Sequence, residues 1–542
     1  MRKMPSLHTI VNESDRGRGT DMLRRLMLAW LRRHSPPGRG SRLAAGGAGV
    51  PGGARRAGSA AGDPLSRIRQ AFNNADDLVF QPIAAGRIPC TLVYFETIAD
   101  KDALLEHLIK PLRELDSVDN GRRLLAGLLN GAVVSMQATP CADTDSAVEA
   151  LLEGQAALLI DRGRSGICLF PVTLYSERSV TESQHETVIV GPQEAFVESI
   201  RTNLSLVRHK LKHPDFKTVK YTFGRFTKTE AYLVYIEGMC NQDVLREIKN
   251  KLDAVDADSV LGSSYIKERM EDTSWSPFPT IQYSERPDTL AASLMEGRVG
   301  LMIDGTPQSL IAPVTFFSLM QSAEDYYQSY LASTWIRWIR LFFVAMSFLV
   351  PSVYVAVTTF HPEMVPSNLL ITISAARENI PFPALAEVLI MELIFEGLRE
   401  AGIRIPRPLG QTVSIIGAIV IGQATVQAGI VSAPTVIVVS ITGIASFVIP
   451  HFELGLAFRL LRFPLLLLGG LLGMAGLVTG LFILFLHLIS LKSFGVPYMH
   501  PLAPLSLRDW KDIFVRIDWS RMEPRPEAYR KSDAAEGTSG HE

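Results

Sequence analysis

What most constrains this chain is an abrupt change of solvent along it. Up to Arg340 the sequence mixes charged and apolar residues as a water-soluble protein does. Beyond that point apolar runs take over. Residues 341–360 and 408–450 carry no charge, and His487 is the one ionisable residue in 463–491. A bilayer core about 30 Å thick takes about 20 apolar residues per crossing helix. The chain therefore reads as a large soluble front end joined to a membrane domain.

The soluble part contains an internal repeat. LVYFE at 92–96 recurs as LVYIE at 233–237, and DALLEHL at 102–108 as DVLREIK at 243–249. AVEALLEGQAALLID at 147–161 matches TLAASLMEGRVGLMID at 289–304, and both copies run on into Pro-Val-Thr. The short apolar runs have strand length and the stretches between them have helical spacing. The expected fold class is an α/β cytoplasmic module of two duplicated subdomains followed by an α-helical polytopic membrane domain with four to six spans. The expected boundaries are a disordered basic tail over 1–62, subdomain 1 over 63–180, a connector with an amphipathic helix over 181–224, and subdomain 2 over 225–322. An interfacial linker (323–340), the membrane domain (341–491) and a cytoplasmic C-terminal tail (492–542) follow.

A formal net charge of −1 argues against general nucleic-acid binding. Residues 1–62 are rich in Gly, Ala, Arg and Pro, a composition that predicts disorder. The 22–34 piece suits a basic helix on anionic lipid, although a bland tail or a start at Met22 fits better. Paired arginines break its apolar run, so it fails as a secretory signal. Cys90, Cys141, Cys168 and Cys240 form no CxxC pair and read as reduced thiols, as in the cytoplasm.

The connector carries an amphipathic pattern over 194–212 with Arg201, Arg208, Lys210 and Lys212 on it. A solvated face is the expectation for these cations, with a partner or lipid headgroups as the alternative; Arg201 and Arg208 are interface candidates. At the join, Tyr326, Tyr327, Tyr330, Trp335 and Trp338 suit the headgroup layer, and Arg337 and Arg340 place that end in the cytoplasm.

Within the membrane part, 341–360 is a span containing Pro351. Residues 361–383 are too polar to cross freely and suit a re-entrant or interfacial stretch; Arg377 and Glu378 are interface candidates there. On the helix expected over 383–404, Glu392, Glu396 and Glu400 fall within about 80° of one another, with Arg399 beside them. Such a stripe in apolar surroundings requires water, a counter-ion or a pore. The competing placement is an in-plane helix with its charges in water and a local Glu396–Arg399 pair. Glu387 lies roughly opposite the stripe and remains a further ion-pathway candidate. Two spans separated near 429–434 are expected in 408–450, with Gln411, Gln423 and Gln427 as interhelical glue. A basic interfacial segment is expected over 451–463. The arginines after each apolar block then require a hairpin in 463–491, or one block that only dips.

No phosphate loop, HExxH or GxSxG motif is present, so nothing points to an enzyme, a metal or a cofactor. The run FHPEMVPSNLLITISAARENIPFP followed by EVLIMELIFEGLREAGIRIPRPLGQTVSIIGAIVIGQATVQAGIVSAPTVIVVSITGIASFVIP closely resembles the GerA family of spore germination proteins, A-subunit type. So do EGRVGLMIDGTP at 296–307, EDYY at 324–327, GPQEAFVESIRTNLSLVRHKLKHP at 191–214 and SFGVPYMHPLAP at 493–504. The resemblance implies a subunit in the inner membrane of the bacterial spore, its soluble module on the spore-core side. It implies a B-type, transporter-like, nutrient-binding partner, a C-type lipoprotein partner, contact with membrane lipid, and a homo-oligomer, a pentamer, forming a nutrient-gated channel for monovalent cations. In such an oligomer Glu392, Glu396 and Glu400 would form carboxylate rings, and Met391, Leu393 and Phe395 a dry gate. An accessory protein of the stage V sporulation AF type, and a secondary transporter, are the alternatives.

Overall fold

The computed structural model describes residues 63–115, 118, 120–173, 183, 186–271, 275–404, 422–506, 509–518 and 527–529. The tail over 1–62 and Gln411 lie outside them.

The duplication is visible as two antiparallel five-stranded sheets of the same topology. β1 (Leu78–Ala85), β2 (Ile88–Phe95), β3 (Thr139–Cys141), β4 (Ala156–Ile160) and β5 (Gly166–Phe170) are ordered β1-β2-β4-β5-β3. β6 (Phe216–Phe223), β7 (Thr229–Ile236), β8 (Gln282–Ser284), β9 (Val299–Ile303) and β10 (Ser309–Ala312) are ordered β6-β7-β9-β10-β8. The repeated motifs supply the inner strands: Leu92 pairs with Leu158 in one sheet and Leu233 with Leu301 in the other. All four are buried. Each fully buried leucine is worth about 1.5–3 kcal/mol of removed apolar surface, which explains why these runs kept their pattern. The four cysteines are unpaired, and burial pushes the Cys90 thiol up to about 11.

Two expected boundaries are corrected. Subdomain 2 begins with β6 at Phe216, inside the expected connector. The polar residues of KTVKYT disguise that edge strand. The connector helix α1 (Ile200–Lys210) is shorter than 194–212. The Asn203 side chain accepts from the Val197 N–H (2.8 Å) and donates to its carbonyl (2.6 Å), holding the preceding chain extended.

Arg208 is also corrected: it is neither a solvated cation nor free for a partner. It is buried, bonded through Nε and Nη2 to both Asp77 oxygens (2.5 Å each), with its guanidinium 4.0 Å from the Phe95 ring centroid. It thus fastens the connector helix to subdomain 1, and Thr218 of subdomain 2 also donates to Asp77 (2.8 Å). Arg201 is exposed and pairs with Glu96 of subdomain 1 at 3.3 Å. Arg208→Met is expected to cost the sheet domains about 3 kcal/mol, because Asp77 is left buried without its cation; denaturant unfolding of the full chain measures it.

Among the described residues two helices are long and apolar enough to cross a membrane: α2 (Tyr330–Phe360) and α6 (Phe452–Ser490). Between them lie α3 (Ser367–Arg377), α4 (Ala384–Arg404) and α5 (Ala433–Ser446). α6 is folded in two. Gly473 has φ 64° and ψ −146°, a conformation that favours glycine. From there the chain doubles back. Leu465 sits over Gly480, where a Cβ would lie 2.7 Å from it, and Phe278 touches both Phe458 and His487. The arms, 452–472 and 474–490, form a hairpin longer than the one expected in 463–491. The segment 451–463 is its first arm, not an interfacial piece.

Contacts order the bundle. α2 runs from the sheet domains to a distal end, where Phe360 meets Gly473. α4 starts distally, with Leu385 on Gly470, and returns toward the sheet domains. α5 runs parallel to α4 after a break at Gly429–Ser432 that matches the expected one. The C-terminal segment is not a free tail. Phe494, Val496 and Tyr529 are buried in the core of subdomain 2.

Candidate functional site

The expected acidic stripe exists, and arginines of the same chain meet it. Glu392 is fully buried and pairs with Arg462. Glu396 pairs with Arg459 and, at 3.5 Å, with Arg399. The register is antiparallel, α4 against the first arm of α6, so a carboxylate four residues further along meets an arginine three residues further back. Of the three partners a membrane carboxylate can find, this stripe finds counter-ions. Only Glu400 is exposed, paired with Arg404 at 2.6 Å.

Glu387 occupies a second pocket on the other side of α4. It accepts from Arg377 Nε (3.0 Å), the Ser432 N–H (3.0 Å) and Thr435 Oγ1 (3.1 Å). It therefore ties the C-terminus of α3 to the break before α5. Arg399 donates to Ser446 Oγ (2.9 Å) and lies over the Phe395 and Phe447 rings. Phe395 itself packs on Gly443, a close approach only glycine permits. Met391 is buried, whereas Leu393 is 62% exposed. The proposed gate residues thus do not share one face: Met391 and Phe395 pack inside the protomer and Leu393 points out.

These pairs are not fully satisfied. Glu392 Oε1, Arg462 Nε and Nη2, and Arg399 Nε are buried with no hydrogen-bond partner among the described residues. Buried charge with spare bonding capacity is costly and suits an element that rearranges.

A second charge cluster joins the bundle to the sheet domains. Asp325 is buried and accepts from Arg337 Nε (3.2 Å) and from Arg340 Nη1 (2.8 Å) and Nη2 (3.0 Å). Arg337 also meets Asp512 of the C-terminal segment (3.1 Å), and Tyr326 donates to Asp512 (2.8 Å). Tyr327 donates to Asp288 (2.6 Å), which is paired with Arg286 of subdomain 2. Arg337 and Arg340, expected as interfacial cations, are corrected to buried partners of Asp325. Trp335 and Trp338 are exposed, as a headgroup position requires.

α3 is the odd element. None of its residues is buried, although half its side chains are apolar. Ser367, Asn368, Thr372 and Ser374 fall on one broad side of it, and Glu378 follows on that side. Glu378 is exposed and has no ion pair among the described residues.

Sequence reasoning missed Arg459, Arg462, Asp325 and Asp512. A signal existed for the first two: E-x3-E and R-x2-R, each at helical spacing in neighbouring apolar segments, are complementary once the segments are antiparallel.

Comparison with known proteins gives the following. The family described as Bacillus/Clostridium GerA spore germination protein matches residues 66–528. A Bacillus subtilis (strain 168) protein described as "Uncharacterized membrane protein YfkQ" is 43% identical over 476 residues, 87% of this chain and 92% of its own. Spore germination protein KA of the same organism is 40% identical over 475 residues, 86% of either chain. The crystal structure of the N-terminal domain of the A subunit of the Bacillus megaterium spore germinant receptor GerK3 is 31% identical, covering 46% of this chain and 94% of that one at a TM-score of 0.35.

Proposed function

The chain belongs to the GerA family of spore germination proteins, A-subunit type, and from that premise we propose that it is the A subunit of a germinant receptor that assembles with copies of itself into a nutrient-gated cation channel. Its place is the inner membrane of the bacterial spore, with the sheet domains in the cytoplasm. B-type and C-type receptor subunits are its partners, and the B-type subunit supplies the nutrient site.

The observation that carries the reading is α3, a helix beside span-length helices with no fully buried residue, only Leu370, Ile373 and Arg377 being half-buried within its own protomer. In a ring of subunits its apolar side is covered by neighbours and its hydroxyl and amide side faces the axis. Glu378 then supplies a ring of carboxylates at the distal mouth, a device that favours cations. The glutamates of α4 act instead as an intramolecular clamp. The reading takes six crossings: α2, α4, the two spans expected from sequence in 408–450, and the two arms of α6. An even number returns the chain to the side where Arg404 and the C-terminal cations lie, as positive-inside orientation asks.

The test is ion flux from the chain reconstituted with its B- and C-type partners. Germinant should open a K⁺ conductance, and Glu378→Gln should reduce K⁺ over Cl⁻ selectivity several-fold with assembly intact. No germinant-dependent conductance ends the channel reading; unchanged selectivity in the variant places the path away from α3.

A further inference from the structure

A cavity of about 1050 Å³ lies where four pieces of the chain meet. Its wall comes from subdomain 2, the 321–327 linker, the 447–451 loop between α5 and α6, and the C-terminal segment. That volume suits a drug-sized molecule and exceeds the need of a bare ion.

One corner is rich in donors. Arg298 and Tyr529 are both more than nine-tenths buried and both line the cavity. The Arg298 guanidinium stacks 4.4 Å from the Tyr529 ring centroid. Arg298 Nε and Tyr529 Oη have no hydrogen-bond partner among the described residues. An orphaned buried donor is costly, and two side by side call for an acceptor from outside the chain. His451 and Arg340 line the same cavity. Burial, then the charges of Arg298 and Arg340, hold His451 down to about 4. Arg298 is paired with Glu296 and Arg340 with Asp325, so what this corner offers a ligand is its two unbonded donors and not an unmatched charge.

The acids in the wall do not supply that acceptor. Glu296 is taken by Arg298 (2.9 Å), Asp288 by Arg286 (2.7 Å) and Asp512 by Arg337 (3.1 Å). Burial lifts Glu186 to about 7, and its carboxyl accepts from Ser284 Oγ (2.8 Å). Two further acids line it: Glu324 accepts from Gln328 (2.7 Å) and Asp509 meets His500 (2.9 Å). Met239, Met295, Phe317, Phe447 and Ile449 supply its apolar wall. The loop 447–451 joins the sheet-domain ends of α5 and α6, so on the membrane reading proposed above, on which this inference rests, the cavity lies at headgroup level.

We propose that this cavity binds an anionic amphiphile, its phosphate or carboxylate head on Arg298 Nε and Tyr529 Oη and its apolar body against Met295, Phe317 and Phe447. Such a ligand bridges subdomain 2 to the α5–α6 loop, and its presence would bias how the sheet domains sit on the bundle.

Purified full-length protein in non-ionic detergent tests this with lysophosphatidic acid, lysophosphatidylcholine, octyl phosphate and inorganic phosphate as probes. Native mass spectrometry and thermal shift are the readouts. Lysophosphatidic acid or octyl phosphate should bind one per chain and raise the melting temperature saturably. Tyr529→Phe should weaken this about tenfold, the loss of one hydrogen bond to a charged group. It should leave the unliganded melting temperature unchanged, since that hydroxyl bonds to nothing among the described residues. Arg298→Gln should weaken it further. A phospholipid carried through purification names a membrane source; a site that fills only with added octyl phosphate names a soluble one. Equal binding of lysophosphatidylcholine overturns the anionic head, and equal binding of inorganic phosphate overturns the apolar body. Unaltered affinity in Tyr529→Phe overturns the site.

Discussion

Arg462→Met is expected to lower the stability of the full chain by about 3–5 kcal/mol, because it leaves Glu392 charged and unpaired in a fully buried position. Glu392→Gln in the same molecule should recover most of that loss. The pair as a whole is worth little, since taking two charges out of water offsets their attraction. The cost lies in breaking one half of it. Thermal or denaturant unfolding in micelles, run as a double-mutant cycle, measures the coupling. A loss of less than about 1 kcal/mol in Arg462→Met would mean that α4 does not meet the first arm of α6 as described. The cycle also separates two roles for the acidic stripe. A clamp makes Glu392→Gln change stability and gating while leaving ion selectivity alone. A pore lining makes it change selectivity first.

The second large effect is expected at Asp325. One carboxylate there holds Arg337 and Arg340, both buried, at the start of the first membrane helix. Asp325→Ala strands the Arg340 guanidinium, leaves Arg337 with Asp512 alone, and should cost about 3–5 kcal/mol. Asp325→Asn keeps an acceptor for one of them and should be milder. The functional consequence follows from the position. The cluster is the junction of linker, first membrane helix, C-terminal segment and, through Tyr327 and Asp288, subdomain 2. Asp325→Asn that still accumulates should therefore respond weakly to germinant while keeping its ion selectivity. Quantifying the folded protein in membranes and the K⁺ released per molecule checks both. A fully responsive Asp325→Ala of normal abundance would remove the cluster from any coupling role.

Much of the architecture was legible because it rests on periodicity. The two sheets follow from LVYFE and LVYIE, and from ALLID and GLMID, because strands buried on both faces must be apolar throughout. β6 was not legible. Its outer side meets residues 74–76 of subdomain 1 and not another strand of its sheet, and Lys217, buried against the Ala71 carbonyl and Glu237, looks like a loop cation until those partners are known. The break before α5 was readable from Gly429 and Pro434. The hairpin of α6 was half readable: charge bookkeeping required a turn, and its glycines allowed one, but its length was hidden by Arg459 and Arg462. Those arginines looked interfacial because no sequence rule says that Glu396 and Glu392 lie opposite.

The sequence by itself determined what is local or repeated: where water gives way to lipid, the duplicated sheet domains, the stripe of glutamates at helical spacing, and the family. Only the tertiary structure decided how the charges are matched. Arg208 with Asp77, Arg462 with Glu392 and Arg340 with Asp325 join elements 131, 70 and 15 residues apart. A charged side chain reads as solvated until its partner is known. In a low-dielectric interior the desolvation cost of an unpaired ion is several kcal/mol, so the fold selects the pairing, and that selection depends on which helices return antiparallel to which.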